Sequence, residues 1–171
     1  SHDKSALLKR FETFYEKEFS QFRSLMKPAE NVRDVMLNAF DADLIVVIAT
    51  NPMFPMNVQQ MRLDWSGIGD LPFDLITRVE NSTFCKPNLQ YYLEITDKLN
   101  ISPASCLMVG NDPFNDMIAA KVDMKTFLTT DSDEMSIELS RELAKGKKIE
   151  MPEPDFKGPL KDVIPALSKL L

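Results

Sequence analysis

Apolar positions along the chain switch repeatedly between two periods. Over residues 4–26, Leu7, Leu8, Phe11, Phe14, Tyr15, Phe19 and Phe22 recur at helical spacing opposite a charged face. This aromatic stripe predicts core or interdomain packing. Pro28 ends the segment, and "ENVRDVMLNAF" predicts a second amphipathic helix. "DLIVVIAT", residues 43–50, is then an unbroken β-branched run, the pattern of a parallel strand buried on both faces. "NVQQMRLDWSG" predicts a helix stopping near Gly67, and "DLITRVE" a weaker strand. "NLQYYLEITDKLN" predicts a helix, "SPAS" a loop, "CLMVG" a buried strand, "DMIAAKV" a helix and "KTFLTT" a fourth strand. A polar helix is expected over 132–145. The tail 151–171 reads as Pro-punctuated, then helical. Strands alternating with helices predict an α/β fold with a mostly parallel, Rossmann-like sheet between helical layers.

Composition narrows the function. The 171 residues are 44% hydrophobic and 27% charged, an ordinary globular balance for one core. A net charge of −6 argues against a nucleic-acid surface. No apolar run approaches the roughly 20 residues of a membrane span, and the N-terminus is too polar for a signal peptide. The expected location is cytoplasmic, with Cys85 and Cys106 as reduced, buried thiols. The only histidine, His2, sits beside Ser1 and reads as a cloning remnant. Ser-His-Asp and Cys-His chemistry are thereby disfavoured, as is a zinc site. "SGIGDLP" is no dinucleotide fingerprint, because Pro72 stands at the third glycine position. Chemistry must come from carboxylates, Lys, Thr and Asn.

Ligands of parallel sheets bind beyond the carboxyl ends of the strands. Those ends carry Thr50 and Asn51, then Asn111 and Asp112 with Asp116 four residues on, and Lys86 follows the weaker strand. Thr, Asn and Lys can hold a phosphate, and carboxylates can hold Mg²⁺ through oxygen. The two acids have a plainer reading as residues of a helix start, where the macrodipole favours negative charge.

Taken together, "ENVRDVMLNAFDADLIVVIATN", "PFDLITRVENSTFCKPNLQYY" and "LMVGNDPFND" resemble the haloacid dehalogenase-like superfamily, from about Pro28 to Thr130. Its members are mostly Mg²⁺-dependent phosphohydrolases with an aspartate nucleophile. The resemblance implies a small phosphorylated substrate. Thr50 and Asn51 would bind the phosphate, Lys86 would hold phosphoryl oxygens and offset charge on the nucleophile, Asp112 would bind Mg²⁺, and Asp116 would orient the metal shell. Pro87 and Tyr92 fit the pattern around the lysine, while Leu89 stands where a second proline is common. Asp123 replaces a frequent glycine, a tolerable change because Asp visits left-handed backbone more readily than most residues.

The family's first motif, a buried strand followed by Asp-x-Asp, has no counterpart in residues 1–27. Asp41 and Asp43 precede their strand and so lie at its wrong end. Asp131 and Asp133 follow a strand, but one matching a later family position. The expected organisation is a helical segment at 1–27, the remnant of a cap, followed by a core at 28–171 that lacks its central strand. That strand belongs between those ending at Thr50 and Val109, where its loss leaves backbone groups unpaired. A second chain could supply it. The expectation is a truncated phosphohydrolase, inactive alone. The alternatives are a non-catalytic binding or regulatory module, and a dehalogenase or phosphomutase on the same scaffold.

Overall fold

Why the chain forms parallel ladders with helices packed on both faces is visible in a single strand. The computed structural model describes residues 4–131, 142 and 151–171. The strand β3 (Leu107–Gly110) alternates its side chains between two cores. Met108 joins Tyr91, Tyr92, Ile95, Ile118, Ala119 and Met124 on one face. Leu107 and Val109 pack with Val35, Phe127, Val163 and Ala166 on the other. The first face is covered by α4 (Leu89–Leu99) and a 3-10 segment, Met117–Val122. The second is covered by α2 (Val32–Asp41) and α5 (Val163–Leu170). The result is an α/β sandwich with the sheet in the middle.

The strands form two parallel ladders. β1 (Val47–Ile48) pairs with β2 (Leu75–Ile76), Val47 opposite Leu75 and Ile48 opposite Ile76. β3 pairs with β4 (Lys125–Thr129), Leu107 opposite Lys125, and β4 pairs with β5 (Phe156–Gly158). Helices α1 (Lys4–Lys17) and α3 (Met56–Trp65) lie on the β1–β2 side of the chain order.

Local chemistry sets the element ends. Asn88 caps α4 by accepting the Gln90 amide at 2.9 Å, and Asn100 ends it in the left-handed conformation at φ 53°. The turn after α3 passes through Gly67 at φ 72°, a backbone that disfavours side chains with a Cβ. Asp123 adopts φ 66° before β4, the left-handed geometry expected of it.

Several expectations change. The run 43–50 is not buried on both faces: Ile45 is 49% exposed, and only Val47 and Ile48 join a ladder. Leu44, Ile45, Val46, Val47 and Ala49 instead line a cavity. Residues 103–105 and 117–122 wind as 3-10 turns rather than loop and α-helix. β5 lies in the tail read as Pro-punctuated, then helical. Three residues between Pro154 and Pro159 carry too little periodicity to announce a strand. Cys85 is exposed rather than buried, Cys106 is partly buried, and both are free thiols. Leu7 and Phe11 of the aromatic stripe are each 50% exposed, Phe14 and Phe22 39% and 44%. Only Tyr15 and Phe19 reach Phe54, and Phe19 stacks on Trp65 at 5.6 Å. A single helical layer presents one edge to α3, and Leu7, Phe11, Phe14 and Phe22 stay exposed beside it. The polar helix expected over 132–145, together with Asp133 and His2, falls outside the described residues apart from Glu142, which is helical. Among the described residues no helix is long and apolar enough to cross a membrane.

Candidate active site at the carboxyl edge

The sequence-predicted residues converge through Lys86. Its backbone amide donates to Asn51 Oδ1 at 2.9 Å, just beyond β1. Its ammonium meets Asp116 Oδ1 at 2.5 Å, just beyond β3, with the two side chains 8% and 7% exposed. One residue therefore ties the carboxyl ends of both ladders together. A buried pair of this kind is costly to desolvate, and removing one partner strands the other charge.

Asp116 reaches the pair because residue 110 is glycine. A Cβ there would stand 2.1 Å from Asp116 Oδ2 and 2.3 Å from its Cγ. The second oxygen of Asp116 accepts the Asp112 amide at 3.0 Å. Asp112 is itself engaged: Oδ1 accepts the amides of Phe114 and Asn115 at 2.9 Å each, and Oδ2 accepts Asn115 Nδ2 at 2.6 Å. The plain turn-capping role and the proposed metal role thus meet in one side chain. Tyr92 donates to the Asn115 carbonyl and fixes the same loop from below.

These bonds decide what the edge can bind. Among the described residues, the Thr50 hydroxyl and Asn51 Nδ2 have no hydrogen-bond partner, which leaves two donors at the edge that Lys86 also reaches through its backbone amide. That set suits an anion with several oxygens. A divalent cation is a poorer fit to the described residues alone. Mg²⁺ takes about six oxygens, and here one of two carboxylates is held by a lysine. Among the described residues no three His, Cys, Asp or Glu side chains cluster to hold a metal.

Residues that sequence reasoning missed hold this edge from behind. Glu94 accepts the amides of Thr83 and Phe84 and pairs with Lys98 at 2.8 Å, anchoring the loop that delivers Lys86. Burial pushes its carboxyl pKa up, but the Lys98 and amide hydrogen bonds outweigh that and leave it below the usual value. Tyr91 and Thr77 are buried polar residues at 1% and 2% exposure, and both touch Thr50. Burial pushes the Tyr91 and Tyr92 hydroxyls well above the ordinary tyrosine pKa, so both keep their protons as donors. For Thr77 and Tyr91, a polar residue at an expected core position was the only sequence signal.

In open parallel α/β sheets ligands bind outside the carboxyl ends of the strands, and this polar cluster stands there. Residues 1–128 match the model of haloacid dehalogenase-like hydrolases, and the chain belongs to that family. It is a hydrolase of the haloacid dehalogenase-like class. Among solved structures, it resembles a HAD phosphatase from Thermococcus onnurineus at 18% identity and TM-score 0.67, over 97% of this chain and 71% of that one. An L-2-haloacid dehalogenase from Xanthobacter autotrophicus matches at 19% identity and TM-score 0.66, over 99% and 69%. A predicted phosphoglycolate phosphatase from Haemophilus somnus 129PT matches at 18% and 0.63, over 81% of this chain and 56% of that one. At these identities the likeness is one of fold. No curated protein matches the chain.

Proposed function

We propose that this chain is the phosphate-holding part of a Mg²⁺-dependent phosphohydrolase acting on a small phosphorylated metabolite. The observation that carries the reading is the bridge through Lys86, from Asn51 beyond β1 to Asp116 beyond β3. It gathers the Thr50 hydroxyl, the Asn51 amide and an ammonium at one sheet edge. There they would bind phosphoryl oxygens, and the ammonium would offset charge as the transfer proceeds. Asp116 holds that ammonium in place. The loop amides of Phe114 and Asn115 hold Asp112 toward the edge.

The carboxylate that attacks phosphorus is a separate matter. Asp112 and Asp116 are both committed to other partners, so neither serves as nucleophile. Backbone directions indicate where one enters. The peptide groups of Val46, Ile48 and Thr50 turn toward β2. Those of Cys106, Met108 and Gly110 turn toward β4. By alternation, Val47 and Ala49 on one side and Leu107 and Val109 on the other turn away from their ladders. All four line a cavity of about 870 Å³. An apolar strand ending in Asp-x-Asp, inserted there from a further stretch of polypeptide, would pair both edges and place its acids beside Lys86. The first acid would attack phosphorus, and the second would protonate the leaving oxygen and later activate water. Bound Mg²⁺ would neutralise phosphoryl charge, with Asp112 and the incoming acids as its ligands.

The test is thermal unfolding and turnover of a generic phosphate ester, with and without a peptide of that pattern and Mg²⁺. The expected result is negligible turnover alone. With peptide, a Mg²⁺-dependent rise in melting temperature should appear and be abolished by Asp112→Asn. Turnover by the chain alone, or an Asp112→Asn protein that keeps the rise, would refute the reading. The second reading, a non-catalytic binding module, expects phosphate binding without turnover under every condition.

A further inference from the structure

The β1 ladder ends at Ile48, yet Thr50, two residues on, is among the most tightly held residues at the edge. Its amide donates to Thr77 Oγ1 at 2.9 Å. Its carbonyl lies 2.6 Å from the same hydroxyl and accepts the Tyr91 hydroxyl at 2.8 Å. The two hydroxyls are 3.1 Å apart. Thr77 Oγ1 also lies 3.2 Å from the Ile48 carbonyl, so it stands where the next backbone partner of a longer ladder would be. Buried Gln59 fixes Thr77 from the other side, its Nε2 donating to the Thr77 carbonyl at 3.1 Å. The Tyr91 ring lies 5.7 Å from the Lys86 ammonium, within cation–π range.

We infer that Thr77 and Tyr91 are positioning residues: a buried two-hydroxyl clamp that sets the Thr50 backbone and, through the Tyr91 ring, the Lys86 ammonium, so that both donors face one anion. The inference rests on the phosphate reading above. Neither residue touches the anion itself. The physical need is plain. Beyond Ile48 no backbone partner remains, and an amide and carbonyl left unpaired in a partly buried setting would twist to find water. A side-chain hydroxyl, which both donates and accepts, can satisfy both the amide and the carbonyl of one residue.

The experiment compares the whole chain carrying Thr77→Val, Thr77→Ser, Tyr91→Phe or Thr126→Val. Thr126 is fully buried in β4 with its hydroxyl on Asp155, away from the edge, and controls for loss of a buried hydroxyl. Two quantities are read: orthophosphate affinity by calorimetry, and hydrogen exchange of the Thr50 amide. Thr77→Val and Tyr91→Phe should each weaken orthophosphate by about tenfold, the worth of one net hydrogen bond, and speed Thr50 exchange more than exchange in β4. Thr77→Ser should restore both. Thr126→Val should lower the melting temperature and leave both nearly unchanged. Wild-type affinity in Thr77→Val and Tyr91→Phe would overturn the clamp. If the unaltered protein binds no orthophosphate, the phosphate reading fails separately. The clamp then stands on exchange alone, and unchanged Thr50 exchange in Thr77→Val overturns it.

Discussion

The two ladders are held by different means. In β3–β4–β5 the backbone does most of the pairing, with four register pairs between β3 and β4 and three between β4 and β5. Its two faces are sealed by helices, and Phe127 is 2% exposed. In β1–β2 the backbone supplies two register pairs, and side chains extend the seam. Asp74 Oδ2 accepts the Val46 amide at 2.8 Å, and Thr77 holds Thr50. The helical layer beside it leaves half its aromatic stripe exposed. Where a two-residue ladder runs out, a hydroxyl and a carboxylate thus take the place of peptide groups. Such bonds are individually replaceable, so this half is the one to open first. Lys86 joins the halves.

Breaking that join should have the largest effect. Lys86→Met leaves the Asp116 carboxylate buried and unpaired, and should cost about 3–5 kcal/mol in denaturant unfolding. Hydrogen exchange would sharpen the contrast: β1–β2 amides should lose protection while those of β3 and β4 hold. Uniform loss across both ladders would mean that the halves open as one unit. Phe127→Ala should also cost about 3–5 kcal/mol, while Phe22→Ala, at 44% exposure, should stay within about 0.5 kcal/mol. Equal costs for the two phenylalanines would erase the difference drawn between the regions.

Gly110→Ala should cost about 1–3 kcal/mol, because the new methyl takes the space of the Asp116 carboxylate. Its loss should shrink in the Lys86→Met background, since the contact it disturbs is already broken. Asp74→Ala should cost about 1 kcal/mol, by leaving the Val46 amide without its partner. The smallest effect is one of pH on the β4–β5 side. Burial pushes the Asp155 carboxyl up, but its hydrogen bonds to Lys125 and to the Thr126 amide outweigh this and leave its pKa below the ordinary value. A depressed carboxyl stabilises the fold above its unfolded pKa of about 3.9, and that contribution fades as pH falls through the folded value. Because the pair is partly exposed and solvent-screened, Asp155→Asn should reduce the acid dependence of the melting temperature by only a degree or two, about 0.5 kcal/mol.

Much of this arrangement was legible in the residues. Helical periodicity located α2, α3 and α4 within a residue or two, and the apolar run 106–110 located β3. Thr50, Asn51, Lys86, Asp112 and Asp116 were legible because each follows a predicted strand, and parallel sheets gather such positions at one edge. The short strand β5 was not legible, because it pairs with β4 alone and three residues show no alternation. Nor was the clamp. Thr77 and Tyr91 are 14 residues apart and meet at a carbonyl distant from both, so no local spacing marks them.

The sequence by itself determined the alternation of strand and helix, the capping of α4 by Asn88 and Asn100, the left-handed turn at Asp123, and which polar residues would stand at the carboxyl edge. All of these depend on forces that act over a few residues: backbone sterics, hydrophobic period and local hydrogen bonds. Only the tertiary structure decided how the edge is wired. That Lys86 pairs with Asp116, and that the run 43–50 is covered on one side, depend on which segments become neighbours. The physical reason is desolvation. A charge or peptide group taken from water must find a partner wherever the packing brings one, and the packing is a property of the whole chain.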